Sequence, residues 1–159
     1  MPWMSRGYLA SLLFSALLLY FVALHAAGQA YRLPEVNVTK PSEPPTAAEI
    51  FLHNLSVSWY LLVPAVGLFP FLWVWYATGL SIGAAAKALG VPPLYAIFTT
   101  TTVVFPEFLA YTVMTAENIY SSVKLLTGDR SRFGRPYLTS FLLYLILLFI
   151  GALWEAALI

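Results

Sequence analysis

The sequence predicts an all-α fold: an integral membrane helical bundle with about four membrane segments. Of its 159 residues, 60% are hydrophobic and 9% are charged, whereas about a quarter of the residues of a typical soluble domain are charged. The apolar residues also form long continuous runs, unlike the short alternating runs of membrane-spanning strands. At this length, residues 1–159 are expected to form a single transmembrane domain.

The four membrane segments are predicted at about residues 8–27, 54–86, 94–123 and 137–158. For the first, a cleaved signal peptide is the alternative, because the stretch ALHAAGQA resembles a cleavage site. The apolar run is long for a signal sequence, which favours a retained helix. Residues 28–53 follow as a polar outer loop rich in proline. Near its end, Thr46 and Glu49 have the spacing of a capping box that starts a helix.

The second segment, 54–86, is too long for one straight span. Pro64, Gly67 and Pro70 interrupt it, so we expect a kinked and tilted helix. Gly79 and Gly83 are four residues apart near its end. Small residues at this spacing let a second helix approach closely, which predicts a helix-packing face.

Positive charge sets the expected orientation, because basic loops stay in the cytoplasm. The loop at 124–136 has four basic residues, Lys124, Arg130, Arg132 and Arg135, against one acidic residue. These four are predicted to fix orientation or to contact anionic lipid headgroups. Arg6 and Lys87 are weaker cytoplasmic signals. We therefore expect a multi-pass protein of the cell membrane with a cytoplasmic N-terminus.

This orientation raises a conflict at the third segment, 94–123. A single crossing from a cytoplasmic Lys87 would leave the basic loop outside. A re-entrant hairpin removes the conflict, since residues 94–105 form about 18 Å of helix, roughly half a bilayer, before a break at Pro106. Glu107 would then occupy the first turn of the returning helix, where free amides favour negative charge. The alternative is one kinked span that breaks the charge rule.

Polar residues recur at steps of three or four along this third segment, so they share one helix face. They are Glu107, Tyr111, Thr115, Asn118 and Ser122. An ionisable residue within the membrane indicates a functional site, although such a stripe can also serve only to bond neighbouring helices. Glu117 lies about 15 Å from Glu107 along a helix, too far to act with it as a pair. Glu117 and Asn118 are expected to reach interfacial water at a helix end.

Three short elements in about residues 48–125 carry a family resemblance. They are Asn54 in IFLHNLSV, Gly79 and Gly83 in ATGLSIG, and Pro106 with Glu107 in VVFPEFLAY. Together they resemble the stage II sporulation protein M family of integral membrane proteins, in its short prokaryotic form. The resemblance implies a scaffold within a larger membrane machine.

The chain departs from that family pattern at two places. Thr78 stands where the family has an asparagine, and Val103 and Val104 stand where it often has His-Gly. No role of that histidine therefore carries over to this chain.

The first functional hypothesis is a non-catalytic scaffold or accessory subunit of a larger membrane assembly. The alternative is a small homo-oligomeric channel or transporter with Glu107 in an ion or proton path. Both predict contact with other membrane subunits or self-association, and the lipid bilayer surrounds either one. An enzyme is not expected, because HExxH and CxxC motifs are absent, and a net charge of +1 gives no nucleic-acid footprint.

Two histidines and one asparagine are candidates for a cofactor site and a glycosylation site. His25 and His53 can in principle ligate haem or a metal, but no third ligand group accompanies them, so no cofactor is expected. Asn37 begins an Asn-x-Thr sequence and is a candidate glycosylation acceptor.

Overall fold

The computed structural model describes residues 5–33 and 44–158, and within these ranges it contains helices and no strand. The helices are α1 (Arg6–Arg32), α2 (Ala47–Ser58), α3 (Leu68–Ala88), α4 (Pro93–Val103), α5 (Phe105–Leu126) and α6 (Arg135–Leu158). Three of them, α1, α3 and α6, are long and apolar enough to cross a membrane, and α4 with α5 adds a fourth if the bent pair is one span. The prediction of an all-helical membrane protein is confirmed at this level.

Helices α1 and α3 pack side by side and run parallel. Trp75 Nε1 donates a hydrogen bond of 2.7 Å to the carbonyl oxygen of Leu19, and further along both helices Lys87 Nζ donates to the carbonyl oxygen of Leu33. Lys87 therefore lies at the end of the bundle where α1 finishes, opposite the end that carries Arg6. The expectation that Lys87 and Arg6 share one side of the bundle is wrong.

Glycine allows this close approach of α3 to α1. A Cβ atom on Gly79 would lie 2.7 Å from the carbonyl oxygen of Ala23, and one on Gly83 would lie 2.6 Å from the Cα atom of Ala27. Both distances are too short for real side chains, so larger residues would push the helices apart. The alanine-rich stretch of α1 that resembles a cleavage site thus forms the face that packs on α3.

The segment 54–86 is divided into two helices, so the expected single kinked helix is wrong. α2 starts with the predicted capping box, in which Thr46 and Glu49 bond each other's backbone amides. It continues into a 3₁₀ turn at Trp59–Leu62, and the chain then reverses through Ala65, whose φ is 69°. The helical hydrogen-bond pattern ends at Pro64 and at the left-handed Ala65. α3 then runs in the direction opposite to α2.

α4 and α5 meet at an angle of 90° across the single residue Val104. The break lies two residues before Pro106, which occupies the first turn of α5 as expected. α5 then runs to the opposite end of the bundle, where the Tyr120 hydroxyl and the Ser5 hydroxyl lie 2.9 Å apart. Residues 94–123 therefore connect opposite ends of the bundle.

The core surrounds the middle of α5. Its buried members come from α1, α3, α5, α6 and the 3₁₀ turn: Leu19, Leu61, Phe71, Ala110, Tyr111, Met114, Tyr144 and Leu148. Large apolar side chains such as Phe21 and Trp73 point outward and are exposed, which suits a surface that faces lipid.

Candidate functional site

The interior of the bundle contains a cavity of about 270 Å³ to which all six helices contribute. Its polar lining consists of His53, Asn54, Thr78, Thr100, Thr101, Glu107 and Glu155. Aliphatic residues and the aromatic residues Trp75, Phe108 and Tyr111 form the rest of the wall. An apolar pocket with a few converging polar groups is the usual form of a small-ligand site.

Glu107 is the most buried acidic residue of this cavity. Only 5% of the residue is exposed, and its Oε1 atom has no hydrogen-bond partner within the described part of the chain. Gly151 of α6 makes room for it, since a Cβ atom there would lie 3.1 Å from the Glu107 backbone nitrogen and would overlap its side chain. A buried carboxyl oxygen without a donor is costly, so this position favours a ligand or proton.

Two further polar side chains converge on Glu107. The carboxyl group of Glu155 and the amide group of Asn54 lie beside it, and Asn54 Nδ2 also has no hydrogen-bond partner among the described residues. His53 is exposed and Glu155 is partly exposed, so these two residues mark the mouth of the cavity.

Glu107 is predictable from the sequence as a site residue, but its proximity to Glu155 and Asn54 is not. The three residues lie on different helices, and no spacing in the chain reveals their proximity. The one available signal was a second glutamate, Glu155, within an otherwise apolar segment.

The predicted polar stripe of α5 divides into two parts. Its first two residues, Glu107 and Tyr111, line the cavity, and Thr115 is fully buried. The last two hold the chain reversal between α2 and α3. Asn118 Nδ2 donates to the carbonyl oxygens of residues 61 and 63 at 3.0 and 2.8 Å, and Ser122 Oγ accepts from the backbone N–H of residue 65 at 2.6 Å.

A second buried polar group surrounds Glu117, near the opposite end of α5. Glu117 is 0% exposed and accepts hydrogen bonds from Arg132 Nε at 2.8 Å, Ser121 Oγ at 2.7 Å and Ser140 Oγ at 2.6 Å. The Arg132 guanidinium also lies 4.3 Å from the centre of the Tyr8 ring. The expectation that Glu117 and Asn118 reach interfacial water is therefore wrong, because both are buried.

The four basic residues of the predicted loop have different surroundings. Arg132 is 5% exposed and points inward, so it is not part of a basic surface. Lys124 forms an ion pair of 2.7 Å with Asp129, and its hydrogen bond holds the pKa of Asp129 below the ordinary value. Arg130 and Arg135 are exposed, so they remain available to headgroups.

The core separates the cavity from the group around Glu117. Met114, Tyr144, Leu148 and Leu61 are fully buried between them. The cavity is therefore closed toward that end of the bundle.

The two histidines have different surroundings. His25 is exposed, lies 2.9 Å from Gln29 Nε2 and stacks on Phe21, whereas His53 lines the cavity. The described residues include no cluster of three or more His, Cys, Asp or Glu side chains that could hold a metal ion. Asn37 lies outside the described residues.

Comparisons with protein-family models, with curated proteins and with solved structures give no match. The resemblance to the sporulation protein M family therefore remains a prediction. Fold and site together define a helical membrane protein with an acidic cavity in its interior.

Proposed function

We propose that this protein is a transporter-type membrane protein that takes a cation or proton into its interior cavity. The unpartnered, buried carboxyl oxygen of Glu107 is the observation that supports this proposal. Glu107 and Glu155 repel each other when both are charged, and the burial of Glu107 limits screening by water, so a cation or proton between them is stabilising. Because the core closes the far side, the cavity suits a binding site open to one side better than a continuous pore.

The bundle itself covers Glu107. Helices α2, α5 and α6 of the same chain surround the carboxyl group, so no second chain is needed to shelter it. Burial of this carboxyl group therefore gives no argument for the self-association that the sequence predicts.

We place the end of the bundle that carries Arg6, Arg130 and Arg135 in the cytoplasm, following the positive-inside rule. α1 then leads outward. α2 and the 3₁₀ turn, roughly 26 Å long, dip back toward the cytoplasmic end, and α3 leads outward again. Residues 94–123 cross inward as one bent span, which needs no hairpin. The cavity mouth with Glu155 then faces outward.

Cysteine labelling tests this orientation, because the chain has no cysteine of its own. The exposed positions Leu89 and Arg130 lie at opposite ends of the bundle. In intact cells, a membrane-impermeant maleimide should label Leu89→Cys, and it should label Arg130→Cys only after permeabilisation. Labelling of both positions from the same side would contradict the proposed path of the chain.

The transport proposal is tested with purified protein in sealed vesicles. Uptake of protons, Na⁺, K⁺ and alkylammonium ions is measured for the wild type, Glu107→Gln and Glu49→Gln. Glu49 is an exposed glutamate outside the cavity, and glutamine there preserves the capping box, so it is the matched control. Uptake should be lost only in Glu107→Gln, with helix content and particle size unchanged. Absence of any uptake or binding that depends on Glu107 would refute the proposal.

A non-catalytic scaffold or accessory subunit is the second candidate. An apolar groove of about 580 Å³ on the outer side of the α4–α5 bend supports it, with Phe98, Phe105, Pro106 and Trp154 in its wall. A groove of this size can accept several apolar side chains from a helix of another membrane subunit. Extraction in mild detergent, followed by native mass measurement, tests this idea. Foreign subunits at fixed stoichiometry would support an accessory role, and a homogeneous particle of this chain alone would favour the transporter.

A further inference from the structure

We infer that the cavity binds a small alkylammonium ion rather than a bare metal ion. This inference rests on the proposed cation-binding function and specifies the class of cation. Three features of the cavity support it: its aromatic wall, its two acidic residues without a metal-binding cluster among the described residues, and its unpaired hydrogen-bonding groups.

The aromatic wall is built from rings that support one another. The Trp75 ring centre lies 5.5 Å from that of Tyr111 and 6.3 Å from that of Phe108. The hydrogen bond from Trp75 Nε1 to Leu19 fixes the indole. Aromatic rings attract organic cations through their negative faces, and most strongly where water is excluded.

The acidic residues of the cavity are too few for a dehydrated divalent metal ion. Ca²⁺ takes six to eight oxygen ligands, and Mg²⁺ requires a near-ideal octahedron. The cavity offers two carboxyl groups and one amide at its acidic end. The described residues include no cluster of three or more His, Cys, Asp or Glu side chains that could hold a metal ion. An alkylammonium ion needs fewer ligands, because its alkyl part makes contact with apolar walls.

The volume of the cavity and its unpartnered carboxyl oxygen also match a small alkylammonium ion. At about 30 Å³ per water-sized group, isobutylammonium has five such groups and needs roughly 150 Å³, which the cavity of about 270 Å³ accommodates. Its N–H groups can donate to the unpartnered Oε1 atom of Glu107. The charged group then lies between Glu107 and Glu155 and against the ring of Phe108, and the alkyl group lies against Trp75.

Isobutylammonium binding to the detergent-solubilised full chain tests this inference by titration calorimetry. Isobutanol, its neutral counterpart of nearly the same shape, is the ligand control. Isobutylammonium should bind saturably and isobutanol should not. Glu107→Gln should weaken amine binding by about 10- to 100-fold, as loss of a charged hydrogen-bond partner does, and Glu49→Gln should leave it unchanged.

A second variant separates the aromatic contribution from the charge. Phe108→Leu should weaken amine binding by about 2- to 30-fold, the range expected for one cation–π contact. If Glu107→Gln does not fold, Glu155→Gln at the partly exposed mouth replaces it.

The outcomes distinguish this inference from the function on which it rests. Binding of Na⁺, K⁺ or protons that depends on Glu107, without competition from isobutylammonium, would overturn the inference and leave the proposed function standing. Absence of any cation binding would overturn both. Amine binding that Glu107→Gln and Glu155→Gln do not weaken would place the amine elsewhere and also overturn the inference.

Discussion

The buried ion pair between Glu117 and Arg132 gives the largest predicted effect on stability. Arg132→Met removes a guanidinium that contacts Glu117 at 2.8 and 2.5 Å and leaves Ser121 and Ser140 as the remaining donors. Glu117 would then be a fully buried charge without a counterion. Breaking such a pair from one side costs about 3–5 kcal/mol, or roughly two to four orders of magnitude in the unfolding equilibrium.

The matched comparison is the double variant Glu117→Gln with Arg132→Met. It removes both charges and keeps groups that can bond the two serines, so it should be more stable than Arg132→Met alone. Unfolding is followed by tryptophan fluorescence and helix content as mixed micelles are titrated with a denaturing detergent. As a surface reference, Asp129→Asn breaks a partly exposed pair and should leave the midpoint almost unchanged.

Two results would refute this reasoning. A loss below about 1 kcal/mol for Arg132→Met is typical of a hydrated surface pair and would mean that water reaches Glu117. A double variant no more stable than the single one would show that Arg132 acts through packing on Tyr8, 4.3 Å away, rather than through its charge.

Three other effects are expected. Gly83→Ala should lower the free energy of unfolding by about 1–3 kcal/mol through overpacking against α1. Gly28→Ala in α1, with open space around it, should be neutral or stabilising by up to about 1 kcal/mol. Equal losses of stability in the two variants would contradict the packing argument. Thr46→Ala should lower the stability of α2 by about 1 kcal/mol, because it removes the N-terminal cap. Amide hydrogen exchange in the first turn of α2 should become faster, and unchanged exchange would contradict this prediction. The pKa of Asp129 lies below its ordinary 3.8, chiefly through the hydrogen bond from Lys124. Its stabilisation is therefore complete above about pH 4 and is lost as pH falls through the lower folded value. A carboxyl NMR titration should show this lowered pKa, and Lys124→Gln should raise it only part of the way, because the hydrogen bond from Ser131 remains.

Local patterns were predictable where neighbouring residues decide the structure. The capping box of Thr46 and Glu49 needs only the spacing of two residues, and it is confirmed. Gly79 and Gly83 lie on one helix face because of the helical repeat, and the structure places both against α1. The stripe from Glu107 to Ser122 faces inward for the same reason.

The path of the chain was not predictable in this way. Hydropathy cannot distinguish a kinked helix from two helices joined by a reversal, since both are apolar. The reversal is held by Asn118 and Ser122 of α5, more than fifty residues later in the chain. Because α3 runs parallel to α1, Lys87 lies at the end of the bundle opposite Arg6. The charge conflict that favoured a hairpin in residues 94–123 depended on Lys87 and Arg6 sharing one end.

Apolar helices, the recurrence of polar residues along them and the small residues that permit close packing are all predictable from the sequence alone. These properties depend on composition and on the helical repeat, which act over a few neighbouring residues. The meeting of Glu107 with Glu155 and Asn54, and the entry of Arg132 into the bundle to neutralise Glu117, depend on tertiary packing. Such pairings join residues on different elements, and they form because buried charges and polar groups must find partners wherever the packing of the helices brings them together.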